Sequence, residues 1–159
     1  MKKNFKPSDL MKLTDFTYKQ LQYWDSTKFL QASARRRNKY RTYSFLDVVL
    51  VAIVDALRAH GYSIQRLRKL LPELKALLPV EPEQLSRLVI LFNKEGFLLL
   101  DARFGVQPQL SPGLSDKFFR FDTEPLYKRV NELYPTAGKP LVEILCDEPI
   151  NLDPERSLS

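Results

Sequence analysis

The stretch Thr17-Tyr18-Lys19-Gln20-Leu21-Gln22-Tyr23-Trp24-Asp25-Ser26-Thr27 (TYKQLQYWDST) decides the fold. Thr17 followed three residues later by Gln20 is a capping-box pattern, so a helix is predicted to start there and to run to about Thr27. Leu21 and Trp24 lie three apart and face inward. Lys19, Gln22, Tyr23 and Ser26 then share the outward face. Just upstream, Ser8 can cap a short helix over residues 9–15, with Leu10, Leu13 and Phe16 on one side. Two short helices joined by a tight connection around Asp15–Phe16 suggest a helix-turn-helix.

Downstream lies RRRNKYRTYS (35–44), in which Arg35, Arg36, Arg37, Lys39 and Arg41 are basic. Taken alone, this is a solvated loop or a strip that touches a polyanion. Ser44 opens another capped segment, FLDVVLVAIVDALRAHG. It is apolar enough for a strand, but its length, its alanines and the stop at Gly61 favour a buried helix over about 45–60. Ser63 caps IQRLRKLL, which Pro72 is expected to end. Pro79 and Pro82 argue further against any long unbroken helix in this region.

Beyond Pro82, Leu85, Leu88, Val89 and Phe92 fit a helix. RLVILF, Asn93-Lys94-Glu95-Gly96 and FLLLDAR fit a β-hairpin, which is preferred. Residues 105–116 look like loop, 124–134 like a short amphipathic helix, and 140–146 (PLVEILC) like a last strand. The end, from 147, looks like a mobile tail.

Composition bounds the function. The 159 residues are 44% hydrophobic, enough for a real core. Residues 1–79 hold 16 Lys+Arg against 6 Asp+Glu, a net +10, whereas 80–159 hold 9 against 13, a net −4. The basic half is suited to a polyanion. Cys146, the one cysteine, cannot form an internal disulfide or a multi-cysteine metal cage, and reads as a small hydrophobe rather than a sensor. His60 reads as a helix-end residue, and Asp147-Glu148 as a surface pair rather than a catalytic one. No phosphate loop, nucleophile elbow or HExxH occurs, so no enzyme is expected. No apolar run spans a bilayer, and the N-terminus lacks the apolar core of a signal peptide, so a cytoplasmic protein is expected.

QLQYWDSTKFL (20–30), RRRNKYRTYSFLDV (35–48) and LRAHGYSIQRLRKLL (57–71) together resemble the DNA-binding domain of MerR-family transcription regulators. The family shows a T-L-R-Y-Y/W-E-x-x-G-L recognition helix, matched in type by Leu21, Tyr23, Trp24, Asp25 and Leu30. Its R-x-x-x-G-Y-R-x-Y wing is matched by Arg36, Tyr40, Arg41 and Tyr43. Its G-F/Y-S-L turn is matched by Gly61, Tyr62 and Ser63. Gln22 stands where the family has arginine, and Lys28 and Lys39 where it has glycines.

The resemblance implies an α+β fold: a winged helix-turn-helix over 1–78, then a small mixed α/β dimerisation module over 79–159. It implies a bacterial homodimer that binds double-stranded DNA at a palindromic operator, and repression is favoured because no effector pocket is evident. Thr17, Tyr18, Lys19, Gln22 and Tyr23 would meet the major groove. Arg35, Arg36, Arg37, Lys39, Tyr40 and Arg41 would form the wing on phosphates, with Tyr40 and Tyr43 dividing bracing from phosphate contact. No cofactor, metal or small-molecule effector is expected. In size and kinship the chain is similar to compact MerR-type repressors that accompany CRISPR-associated transposons. The alternative is an antitoxin or adaptor, anchored to DNA by its basic half and binding a partner protein through its acidic half.

Overall fold

A computed structural model of the chain describes residues 2–35, 41–102 and 118–135. Within them run α1 (Pro7–Leu13), α2 (Tyr18–Ser26), β1 (Ala34–Arg35), β2 (Arg41–Thr42), α3 (Phe45–Ala59), α4 (Ile64–Leu77) and α5 (Pro82–Leu85), then β3 (Leu88–Asn93), β4 (Gly96–Asp101), β5 (Phe119–Asp122) and α6 (Thr123–Leu133). Lys3–Lys128 forms one compact unit, and Lys2 with the described residues from Arg129 onward falls in another.

α3 is the core helix. Ten of its fifteen residues are buried. Its rich content of Val and Ile favours strand locally, but the ends override it. The Ser44 hydroxyl accepts the Asp47 N–H at 3.1 Å, and the Asp47 carboxylate accepts the Ser44 N–H at 2.9 Å. At the other end Gly61 takes φ +99°. There the Tyr62 N–H bonds the Leu57 carbonyl and the Gly61 N–H bonds that of Arg58, a Schellman closure.

Two helix boundaries differ from expectation. α1 starts at Pro7, not at a Ser8 cap, because proline is pre-set for the first helical position and the Asp9 carboxylate accepts the Lys6 N–H at 2.8 Å. Nor does Pro72 end α4, which continues to Leu77. Proline removes one hydrogen bond, the one its N–H would donate to the Arg68 carbonyl. Burial of Leu67, Leu71, Leu74 and the following Leu78 along one face offsets that loss. Pro79 is the effective stop, since it holds Leu78 extended at φ −79°, ψ 139°.

The preferred hairpin is present. β3 pairs antiparallel with β4 from Leu88↔Asp101 to Asn93↔Gly96. The Asn93 side-chain oxygen accepts the N–H groups of Glu95 and Gly96 at 2.8 and 3.0 Å, which fixes the turn. β5, which the sequence reading missed, pairs on the other side, so the order is β4-β3-β5. β3 is central, and its Val89–Phe92 run is buried. The expected loop at 105–116, strand at 140–146 and tail lie outside the described residues, as do Cys146 and Asp147-Glu148.

Candidate nucleic-acid interface

α1 and α2 meet through a four-residue turn built on Thr14, whose hydroxyl donates to the Leu10 carbonyl at 2.8 Å and accepts the Phe16 N–H at 3.3 Å. The capping box is formed: Thr17 Oγ1 accepts the Gln20 N–H at 3.2 Å and Gln20 Oε1 accepts the Thr17 N–H at 2.9 Å. Behind the helix, Trp24 packs edge-on against Phe16, 4.4 Å between centroids, and against Phe29 at 5.5 Å. Such pairs add about 0.5–1.5 kcal/mol beyond the area they bury.

This anchoring leaves one face free. Thr17, Tyr18, Lys19, Gln22 and Tyr23 are all exposed, whereas Leu21, Trp24 and Asp25 are buried. Tyr23 is 61% exposed and Tyr18 is 49% exposed, unusual for large rings.

α2 ends on a residue in an uncommon conformation. Lys28 has φ +62°. It occupies the left-handed position of a Schellman closure, in which the Phe29 N–H bonds the Trp24 carbonyl at 2.9 Å and the Lys28 N–H bonds that of Asp25 at 3.2 Å. The turn that glycine would favour is therefore made by lysine.

After α2 the chain is fastened by two buried carboxylates. Asp25 accepts the Ala32 N–H at 2.9 Å. Asp47 accepts the Ser33 N–H at 3.1 Å and also the Ser33 hydroxyl. These bonds aim the chain into a two-stranded ribbon, in which Ala34 pairs with Thr42 and Arg35 with Arg41. Phe5 extends it by exchanging two 2.8 Å bonds with Tyr43. The role of Asp47 here was missed. Its cap signal was legible, but its bond to a serine fourteen residues upstream has no sequence mark.

The basic residues are placed unequally. Arg35 and Arg41 lie in the ribbon, while Arg36, Arg37, Lys39 and Tyr40 lie outside the described residues. Arg41 is 7% exposed, and its guanidinium carbon sits 5.1 Å from the Tyr18 ring centroid. Its terminal nitrogens have no hydrogen-bond partner among the described residues. A phosphate contact from Arg41 therefore requires its buried guanidinium to become exposed. Tyr43 is buried at 1% exposure.

One acidic group near the turn is perturbed. Asp55 on α3 accepts the Asp15 N–H at 3.4 Å. Burial pushes its carboxyl above the ordinary value of 3.8; the Asp15 N–H opposes this, and the Asp15 charge reinforces it.

A capped helix pair with an exposed second helix, followed by a ribbon and two packed helices, is a helix-turn-helix domain of the DNA-binding class. Residues 5–74 match the MerR HTH family of regulatory proteins. The match spans 70 of the 159 residues, so this segment is similar to the helix-turn-helix of MerR-family transcription regulators. Among solved structures, a MerR-family transcriptional regulator from Bacillus cereus is similar at 19% identity and a TM-score of 0.41. That likeness covers 50% of this chain and 57% of the other. No curated protein matches.

Proposed function

We propose that this regulator is a homodimeric repressor in the bacterial cytoplasm, bound to a palindromic operator through α2 in the major groove. The observation that carries the proposal is the exposed face of α2, where Lys19, Gln22 and Tyr23 stand clear of a buried Leu21–Trp24 anchor. Lysine can bond guanine O6 or N7, and glutamine can bond the adenine edge. The ribbon is the wing, with Arg35, Arg36, Arg37, Lys39 and Tyr40 on flanking phosphates, where each cation that neutralises a phosphate releases a counterion. The residues after 78 supply the dimer contacts, so protein symmetry is mirrored in the operator. Bending and untwisting of the promoter add specificity at positions the protein does not touch.

A mobility-shift and footprinting experiment on the DNA upstream of the gene tests this. Retention by the purified protein that survives competitor DNA, with a symmetric footprint, is expected. Retention only with a co-purifying protein would instead favour an adaptor working through the acidic half of the chain.

A further inference from the structure

A cleft of about 240 Å³ opens between the segment that follows α2 and the paired helices α3 and α4. Leu30, Val51 and Leu71 give it apolar walls, and Lys28, Arg68 and Lys75 bring three cations to it. Arg68 and Lys75 lie two helical turns apart on α4, with Pro72 between them on the same face. The Arg68 guanidinium carbon rests 5.0 Å from the Phe29 ring centroid, which holds it beside the opening. None of the three cations is in an ion pair among the described residues. The one carboxylate in the lining, Asp47, is engaged by the Ser33 and Ser44 donors.

An apolar hollow with unpaired positive charge selects a particular ligand chemistry. A neutral apolar molecule would leave the cations uncompensated. Inorganic phosphate would leave the Leu30, Val51 and Leu71 surface wet. The volume falls below the roughly 300–1,000 Å³ of pockets that hold drug-sized molecules, which limits the ligand to one ring or a short chain. We propose that this cleft binds a small organic anion, a carboxylate on a single aromatic ring or short aliphatic body. Its apolar part would rest on Leu30, Val51 and Leu71, and its carboxylate would lie among Lys28, Arg68 and Lys75.

No such site was expected from the sequence, since its walls come from three separate segments. Lys28 and Phe29 close α2, so an occupant touches the end of that helix. This last consequence rests on α2 being the helix that reads DNA; binding itself does not, and it is tested without DNA.

The probe is salicylate, with salicylamide as its neutral counterpart, titrated into the uniformly 15N-labelled full chain. Saturable amide shifts at Leu30, Val51 and Leu71 are expected, with salicylamide at least about tenfold weaker. Arg68→Gln and Lys75→Gln should each weaken salicylate about fivefold, the scale of one exposed charge contact. Lys75 is exposed, so its variant keeps the test valid if the Arg68 variant unfolds. Absence of saturable shifts at millimolar salicylate would overturn the proposal. So would equal binding of salicylamide, or shifts confined to Tyr18, Lys19 and Tyr23, which would mark the probe as a phosphate mimic on α2.

Discussion

Replacing Lys28 with glycine should stabilise the protein, although it removes a side chain and a charge at a helix end. With φ at +62°, the lysine Cβ crowds the backbone in a way glycine avoids, a cost of about 1–2 kcal/mol. Both Schellman bonds are backbone bonds, so the substitution leaves them intact. Glycine also loosens the unfolded chain, which returns about 0.5–1 kcal/mol of the gain. The net expectation is about 0.5–1 kcal/mol of stabilisation, or a rise in Tm of about 1–4 °C for a chain of this size. Lys28→Ala is the control, because it removes the same charge and keeps the Cβ; it should leave Tm near that of the parent. Lys28→Asn should fall between, since asparagine tolerates the left-handed region. The assay is thermal unfolding followed by circular dichroism at 222 nm. If alanine raised Tm as much as glycine, charge and not backbone strain would be the cause, and the reasoning would fail.

Asp47→Ala should cost about 2–4 kcal/mol in urea unfolding, because it strands the Ser33 and Ser44 donors beside a buried position; a loss under 1 kcal/mol would show that water replaces the carboxylate. Gln22→Ala should relax preference at particular operator positions, by about 1–3 kcal/mol each in competition binding, and uniform weakening on all sequences would count against base reading there. Arg36→Ala should lower the slope of log affinity against log salt by about one, so an unchanged slope removes its phosphate role. Asp55→Asn bears on pH. The folded-state carboxyl titrates above its unfolded value of 3.8, so its contribution is fully present below that value and is lost as pH rises through the raised folded value. The variant should therefore lose less stability than the parent between strongly acid and neutral pH in a series of urea titrations, and parallel curves would exclude Asp55 as the source.

The helix-turn-helix was legible because its signals are local. A cap with Gln20 at its third helical position and an inward pair at Leu21 and Trp24 need no knowledge of the rest of the chain. The same holds for Ser44 with Asp47, and for Asn93 in the hairpin turn. What stayed hidden depends on partners distant in sequence. Arg41 looks like any wing arginine until Tyr18, twenty-three residues earlier, comes to lie against it. The rule that proline ends a helix counts the one hydrogen bond lost at Pro72 and cannot count Leu74 and Leu78 buried beyond it. β5 is only four residues long, and it is a strand because β3 offers it a free side.

The sheet is tied to α3 and α4 at one corner. The Asn93 carbonyl accepts both the Tyr62 hydroxyl at 3.2 Å and an Arg66 guanidinium N–H at 2.9 Å. Arg66 also lies over the Tyr62 ring at 4.0 Å, and His60 stacks on Phe119 of β5 at 4.5 Å. His60 and Tyr62 belong to the α3–α4 turn, which contains the Gly61-Tyr62-Ser63 run, and Arg66 lies in the first turns of α4. Moving the hairpin away from α4 thus breaks two hydrogen bonds, one of them from a charged donor worth about 1.5–3 kcal/mol. Gly61 and Tyr62 therefore close α3, and Tyr62 together with Arg66 holds the acidic half's sheet to the basic half's helices.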